Sequence, residues 1–580
     1  MEKGEYMKVA EIIVETLVQA GVQRCYGIVG DTLNHFTDAI YHNQNIQWVH
    51  MRHEEAGGFA AGADALITQR PVACAGSCGP GSLHFINSLM DAGRNRAPVV
   101  LIASQLETPH LGTNFPQEVD FKAIYGSFCV YCEQILAPSQ AQQIVTMALQ
   151  NAINKKGVAV VIMPVNMSVQ TATYDPNMKV HTPKPIFYPN GDEIAQMAEI
   201  LKAGKKVAIY AGAGVEDAHD ELVALAQKLK APIAHSARSK DFVEYDNPYN
   251  MGMTGLVGLK SGFDMMNECD TLLVLGSDMA WRQFYPQKAR IIQVDEDPSH
   301  LGRRCDVELG VLGRVKHTLE KLLAAIEERE DREFLDTCLQ TKAQVEKKLL
   351  KDIEISGDLI HPQALSAMID KYAADDALFS ADGGSPMLWA LRYLKGKKGR
   401  RFFTSLLHGT MANAMPMALG LKKACPSREV ISFSGDGGLA MLLGDLLTAI
   451  QENLAIKVVV FNNSSLNFVE LEQKVEGLLD NYTDLKNPSF AKVAAMMGFD
   501  AWRVESSAEL EGCVEKLMHS NKPALLDVVV NSKELIMPPR VNLSEVAHFS
   551  LYSAKALLAG RAGDVEDMLK TNINNIKNIL

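Results

Sequence analysis

The sequence predicts an α/β chain of three doubly wound parallel-sheet domains followed by an amphipathic C-terminal tail. Three observations lead there. The 580 residues exceed what one hydrophobic core organises and fit three or four units of ordinary size. Short apolar runs alternate with helical stretches along most of the chain, the pattern of parallel strands covered by helices on both faces. Two interruptions, one rich in proline and one strongly charged, divide that alternation into sets.

The first set, residues 1–182, carries the apolar runs RCYGIVG, VACAGSCG, PVVLIAS and VAVVIMP. The stretch TATYDPNMKVHTPKPIFYPNGDE (171–193) reads as a linker. The second set, 183–337, has strand candidates KVAIYAG, PIAHSA, TLLVLGS and RIIQVDED. A charged helical run, EEREDREFLDTCLQTKAQVEKKLLKDIE, sets the next boundary. The third set, 338–535, runs from ALFSADGG through EVISFSGDGG and KVVVFNN to ALLDVVVN. The tail, 536–580, has no strand signal.

Composition narrows the function. The chain is 47% hydrophobic and 22% charged with a net charge of −12, and no Lys/Arg block interleaves with aromatics, which argues against nucleic acid as a partner. No apolar run reaches the ~18 residues of a membrane span. The stretch MEKGEYMKVAEIIVETLVQAGV lacks the apolar core and cleavage site of a signal peptide, so a cytoplasmic location is expected. Ten cysteines are scattered without disulfide-like spacing. Cys129 and Cys132 form a C-x-x-C with neither a second pair nor spaced histidines to complete a zinc site, and read as ordinary thiols.

The chemistry concentrates in two places. REVISFSGDGG runs an apolar strand into Gly435-Asp436-Gly437-Gly438, and KVVVFNNSS ends another at Asn462-Asn463. Ligands of open parallel sheets sit outside the carboxyl ends of strands, so Asp436 and Asn463 can meet there. A carboxylate, an amide oxygen and a loop carbonyl suit Mg²⁺ that keeps phosphate oxygens as its other ligands. The glycines let backbone N–H groups approach phosphates. In HEEAGGFAAGADA (53–65), two glutamates head a run of small residues that supplies no counter-ion. Glu54 in such surroundings is expected to hold a proton it can share with a ring nitrogen, while Glu55 suits a helix-start acid.

Gly435-Asp436-Gly437 with Asn462-Asn463, and His53-Glu54, resemble the motifs of thiamine diphosphate enzymes, and the likeness covers essentially the whole chain. It implies pyrimidine-binding, FAD-binding and diphosphate-binding domains, in that order. Glu54 would hydrogen-bond N1′ of the aminopyrimidine, and Gly409, Thr410 and Met411 in HGTMANAMPMALG would support the cofactor. Asp436, Gly437, Gly438, Asn463, Ser464, Ser465, Leu466, Asn467, Phe468 and Val469 would complete its site, with Mg²⁺ on Asp436, Asn463 and Ser465. In the middle domain, YAGAGVEDAHD offers only a weak nucleotide pattern through Gly212, Gly214 and Ala218. The similarity of GMTGLVG, GSDMAWRQFYP and QVDEDP to flavin-dependent members implies an FAD site. Its residues would be Thr254, Gly255, Leu256, Val257, Ser277, Asp278, Met279, Ala280 and Trp281, with Asp295 placed like a ribose-binding acid.

Pocket residues implied by the resemblance are His84, Gln117 and Phe468, the last lying between the two cofactors. One departure stands out: in TNFPQEVDF, Gln117 and Glu118 align with the family's Phe-Gln-Glu, but Pro116 replaces the phenylalanine and Phe115 is displaced by one. The implied activity is oxidative decarboxylation of pyruvate to acetate and CO₂, with electrons passing through FAD to ubiquinone. Phosphate-dependent pyruvate oxidation and acetolactate synthesis use the same cofactors. A catalytically silent scaffold is disfavoured by intact Glu54, Asp436 and Asn463. From Ala547 on, Val565, Leu569, Ile573, Ile576 and Leu580 fall at helical spacing, opposite Lys570, Asn574, Lys577 and Asn578. Composition alone favours a helix packed on its own domain. The resemblance implies a peripheral membrane contact, made with lipid at the inner face of the cell membrane and exposed by substrate reduction of the flavin. It also implies at least a dimer, in which the first domain of one subunit faces the third of another, and a homotetramer in full.

Overall fold

The computed structural model describes residues 5–354 and 357–534, and in the tail 551–553, 555–556, 565–566, 568 and 571. Three six-stranded, all-parallel sheets follow one another along the chain. The first contains Arg24–Gly27, Gln47–His50, Val72–Gly76, Val99–Gln105, Tyr131–Gln134 and Val158–Pro164. The second contains Val207–Ala211, Ile233–His235, Asn250–Met253, Thr271–Leu275, Arg290–Asp295 and Leu309–Leu312. The third contains Leu378–Ala381, Arg401–Thr404, Val430–Gly435, Lys457–Asn462, Asp500–Val504 and Ala524–Val529.

Numbered within each domain, the strands of the first and third sheets share the order 2-1-3-4-6-5, whereas the middle sheet has the order 3-2-1-4-5-6 of dinucleotide-binding domains. Each order reverses beside strand 1, and the crevice at that point faces the carboxyl ends of the strands. All three candidate motifs, GDGG, GAG and GSDMAW, therefore emerge at ligand-binding edges.

The first and third domains share one continuous apolar core, which includes Phe59, Ala60, Phe85 and Leu89 of the first and Met415, Ala418 and Leu419 of the third. Small side chains make this possible. Gly420 of helix Ala414–Ala424 passes so close to helix Glu54–Thr68 that a Cβ there would sit 2.0 Å from the Ala60 carbonyl oxygen. On another side of the Glu54–Thr68 helix, a Cβ on Gly58 would lie 2.1 Å from Ser88 Oγ in the neighbouring helix Ile86–Arg94. The small residues after Glu54 thus serve close helix packing. Within one chain this packing already brings the first domain onto the third, without a second subunit.

Two expectations about organisation change. The linker starts later than residue 171, because Thr171–Tyr174 pairs antiparallel with Glu5–Lys8. The boundary at 337/338 falls inside the continuous helix Glu333–Asp352, whose Leu335 and Cys338 are buried in the middle-domain core, so the middle domain extends to the end of that helix.

The described tail residues Tyr552, Ala556, Val565 and Met568 form a small apolar cluster against Leu471 and Leu479 of the third domain. Lys474 lies over the Tyr552 ring at 5.4 Å. Of the predicted amphipathic face only Val565 belongs to the described residues; Leu569, Ile573, Ile576 and Leu580, with Lys570, Asn574, Lys577 and Asn578, lie outside them. Among the described residues, no helix is long and apolar enough to cross a membrane.

Candidate active site

The third-domain edge is built where strands Val430–Gly435 and Lys457–Asn462 run side by side, pairing Gly435 with Phe461. Asp436 is buried there. Its Oδ1 accepts the Gly437 N–H at 2.8 Å, and its Oδ2 accepts Ser464 N–H at 2.7 Å and Asn487 Nδ2 at 2.8 Å. Burial pushes its pKa up against these donors. Asn463 Oδ1 accepts Ser465 N–H at 3.0 Å, which folds the loop back beside Asp436. The Ser465 hydroxyl donates to Glu470 at 2.5 Å, and Lys474 neutralises Glu470, so the loop is anchored to helix Asn467–Val475. Asp436 and Asn463 thus line the same cavity, with Ser464 between them bonded to Asp436. Among the described residues, no cluster of three or more His, Cys, Asp or Glu could hold a metal by itself. A cation here would draw on amide, carbonyl and phosphate oxygens.

Asp382, in the ALFSADGG strand end, has no task marked by the sequence. It is fully enclosed: Oδ1 accepts Ala414 N–H at 2.9 Å and Oδ2 accepts Gly435 N–H at 3.0 Å, and burial raises its pKa to about 7. One carboxyl therefore joins the start of helix Ala414–Ala424 to the GDGG loop. Gly438 must lack a side chain because a Cβ would come 2.3 Å from Asp382 Oδ2, and Met411 Cε would be 3.3 Å from a Cβ on Gly437. Asp382, the GDGG loop and Met411 make one glycine-floored cradle.

The first domain presents Glu54 as the opening residue of helix Glu54–Thr68, capped by His53, whose Nδ1 accepts Glu55 N–H at 3.1 Å. Glu54 is buried, and its Oε2 takes His84 Nδ1 at 2.9 Å; the His53 and His84 rings stack at 4.8 Å. The unpartnered carboxyl expected from the sequence is corrected here, because the counter-group comes from another element. His84 ends the short helix Pro80–Leu83 rather than starting it. Gln117, exposed and at φ +68°, accepts Cys78 Sγ at 3.3 Å and leans on the Gly79 turn beside this cluster. Its loop is curled by Glu118, which accepts Phe115 N–H at 3.3 Å and also the Gly112 N–H, while Phe115 stacks on His110.

The halves are joined by residues the sequence did not reveal. Asn87 donates to Glu55 at 2.6 Å and to Thr410 at 3.0 Å, and its Oδ1 meets His408 at 2.7 Å. Ser405 donates to Asp91 at 2.6 Å and accepts Thr410 N–H at 3.1 Å. Glu55 is the structural acid it was expected to be. Only side-chain partners remote in sequence define these residues, so no local motif marks them.

In the middle domain Gly212 and Gly214 follow strand 1, and Gly276 and Ser277 follow strand 4, on either side of the crevice. A Cβ on Gly212 would lie 2.3 Å from Gly276 O, and one on Gly276 2.5 Å from Gly214 Cα. The paired glycine loops leave backbone facing the opening. Asp295 ends strand 5 rather than strand 2, where the ribose-binding acid of such domains sits, and it accepts Asp297 N–H at 2.9 Å and faces His300 Nδ1 at 3.2 Å.

A single cavity of about 1390 Å³ connects this crevice to the GDGG loop. Thr254–Val257, Ser277–Trp281 and Asp295 all line it, as do Gly409, Met411, Asp436–Gly438, Asn463 and Ser465–Val469. Thr410, Ser464, Glu54, His84 and Gln117 are not in its wall; Thr410 and Ser464 touch residues that are. Val257 and the half-buried Phe468 both pack on the same third-domain core, at the seam between the two ends.

Comparison with known families matches residues 7–124 to the thiamine pyrophosphate enzyme N-terminal TPP-binding domain, 194–322 to the central domain and 382–528 to the C-terminal TPP-binding domain. The chain belongs to the thiamine pyrophosphate enzyme family. Protein YdaP of Bacillus subtilis is 30% identical over 567 residues, covering 97% of this chain and 98% of that one. The pyruvate oxidase of Lactiplantibacillus plantarum is 29% identical, covering 92% and 90%. The acetolactate synthase large subunit of Corynebacterium glutamicum is also 29% identical, covering 92% and 88%.

The thiamine pyrophosphate enzyme cradle fits its cofactor on the structure's own terms. Its floor is glycine where a Cβ would collide, at Gly438 and at Gly383, whose Cβ would be 2.3 Å from Thr410 O. Asp436 and Asn463, whose loops line the same cavity, offer a carboxylate and an amide oxygen, hard ligands of the kind Mg²⁺ prefers. The middle-domain crevice fits a dinucleotide by the same test. Thr254 Oγ1, in its wall, is buried without a hydrogen-bond partner among the described residues. Arg238, also in the wall, is a half-buried guanidinium that donates to Asn95 O at 3.3 Å and whose pKa burial pushes down.

Proposed function

We propose that the protein is a pyruvate dehydrogenase (quinone), converting pyruvate, water and ubiquinone to acetate, CO₂ and ubiquinol. The observation that carries this reading is the single cavity joining the flavin-type crevice to the thiamine diphosphate cradle, with Val257 and Phe468 at the seam. When bound, thiamine diphosphate supplies an electron sink for decarboxylation and FAD a two-electron acceptor.

The chain's own residues do the remainder. Asp436, Asn463 and the Ser465 carbonyl hold Mg²⁺ and with it the diphosphate; Gly437 and Gly438 admit the phosphates to the backbone, and Gly409–Met411 support the rings. Glu54 holds a proton at N1′ of the aminopyrimidine. His84, hydrogen-bonded to Glu54 and otherwise exposed, orients that carboxyl. Thr254–Val257, Ser277–Trp281 and Asp295 hold FAD, and Phe468 stands between the two cofactors. The tail carries the enzyme to the lipid surface where ubiquinone dissolves, as a homotetramer located in the cytoplasm and peripheral to the membrane.

An anaerobic absorbance spectrum of the protein with thiamine diphosphate and Mg²⁺ tests this. Pyruvate should bleach a flavin band, and a quinone analogue should restore it. Bleaching that requires phosphate, or acetolactate formation without bleaching, would instead identify the activities named for the relatives.

A further inference from the structure

The segment that leads into Glu54 is held by another domain. Asp445 Oδ1 of the third domain accepts Arg52 N–H at 2.9 Å and Thr448 Oγ1 at 2.9 Å. Glu452 accepts His50 N–H at 3.1 Å, and Gln451 takes the Arg52 side chain at 2.6 Å. Asp445 is 1% exposed, and its Oδ2 is buried with no hydrogen-bond partner among the described residues. Leaving a carboxylate oxygen unsatisfied in a core is unfavourable, and a smaller neutral side chain would fill the space without that cost. What the carboxylate secures is its grip on Arg52, two residues before Glu54.

The position of Asp445 adds meaning to that grip. It closes the short stretch that begins with Asp436, running through helix Asp436–Met441 and the turn Leu443–Asp445. One end of that stretch carries the cation-side carboxylate; the other fixes where the Glu54 helix starts. We propose that Asp445 is the positioning residue for Glu54, fixing from the third domain where the first-domain helix that opens with Glu54 begins. This rests on the reading of Glu54 as the partner of N1′. The link works through hydrogen-bond acceptance at one point: an acceptor in the same place preserves it, and one displaced by a methylene misplaces Glu54.

The test uses the full chain with thiamine diphosphate and Mg²⁺. Two readouts are followed: deuterium exchange at C2 of the bound cofactor, by acid quench and NMR, and amide protection at Arg52, by hydrogen exchange of the protein alone. Asp445→Ala should expose the Arg52 amide and slow C2 exchange by about 10- to 100-fold, the scale of an ångström-level misplacement, with cofactor affinity unchanged. Asp445→Asn should restore both readouts. Asp445→Glu, which keeps the charge and the fold but moves the acceptor, should slow C2 exchange, and it decides the matter if the alanine variant does not fold. Wild-type C2 exchange in the glutamate variant, or an asparagine variant as slow as alanine, overturns the proposal. Glu54→Gln run alongside separates the two ideas: wild-type C2 exchange in that variant removes the Glu54 reading itself.

Discussion

Replacing Gly438 with alanine is the sharpest perturbation of the cofactor cradle. The added Cβ would stand 2.3 Å from Asp382 Oδ2 and 2.9 Å from its Cγ, with the Ala412 nitrogen behind at 3.3 Å. Asp382 is enclosed, and the methyl group would press on the oxygen that accepts Gly435 N–H. Asp382 must give up Ala414 N–H, Gly435 N–H or both. A buried hydrogen bond to a carboxyl contributes about 1.5–3 kcal/mol, so the loss of one or both places the cost near 2–5 kcal/mol. The gain in helix propensity offsets only about 0.5–1 kcal/mol.

The melting temperature of the cofactor-free protein reports this, at roughly 2–4 °C per kcal/mol for a domain of this size. Two neighbouring glycines serve as references. A Cβ on Gly437 meets only the mobile ends of Leu466, Leu485 and Met411, at 3.1–3.3 Å, and one on Gly444 meets nothing within 4 Å. The expected stability order is therefore Gly444→Ala above wild type, Gly437→Ala slightly below, and Gly438→Ala far below. Thiamine diphosphate affinity should fall most in Gly438→Ala. A Gly438→Ala protein that melts with wild type and binds the cofactor normally would refute the role assigned to Asp382.

The pH dependence of stability has a defined sign. Asp382 is raised to about 7 and Asp91 and Asp445 to about 6, each from 3.8 by burial, so their contribution is full below the unfolded value and is lost as pH rises through the folded values. Urea unfolding of the cofactor-free protein should show greater stability near pH 5 than near pH 7.5, by about 2.5 kcal/mol from Asp382 alone, and Asp382→Asn should flatten the difference. Glu244, held down to about 2 by Lys240 and His235 against desolvation, acts in the opposite sense and only below its unfolded value of 4.5. Chelation of Mg²⁺ should release thiamine diphosphate reversibly, measured by equilibrium dialysis, and Asp436→Ala should prevent rebinding. Pyruvate-reduced protein should float with liposomes more than oxidised protein; equal flotation would exclude redox control of the tail.

How much of this was legible in the sequence follows a physical division. In each sheet the four central strands were read and the two edge strands were not. Central strands such as VAVVIMP and KVVVFN are buried on both faces and read as continuous apolar runs. The edges QWVH, YCEQ, NMGM, LGVL, RFFT and DAWRV are short or partly polar and lie below that signal. The same division holds in the site. Asp436 and Asn463 are bound to their own strand ends by local turns, so spacing along the chain exposes them. Glu54 shows itself by the small residues that follow it.

Residues whose tasks lie across a domain boundary leave no such trace. Asp382, Asn87, Asp91 and Asp445 each look like ordinary polar positions in helices and turns, and each acquires its partner only when two domains or two loops meet. That asymmetry has a consequence for the chemistry. The groups at the strand ends that line the cavity are encoded locally and tolerate independent reading. The groups that seat helix Glu54–Thr68 on the third domain are encoded only in its packing on helix Ala414–Ala424 and in the polar links beside it. Because Gly420 brings those helices to backbone contact, the interface has almost no freedom to slide. A side chain at that point would have to part the first and third domains, and every cross-domain hydrogen bond to Arg52, Thr410 and Ser405 would lengthen with it. The seating of the Glu54 helix on the third domain is thus a property of a glycine with no chemistry of its own.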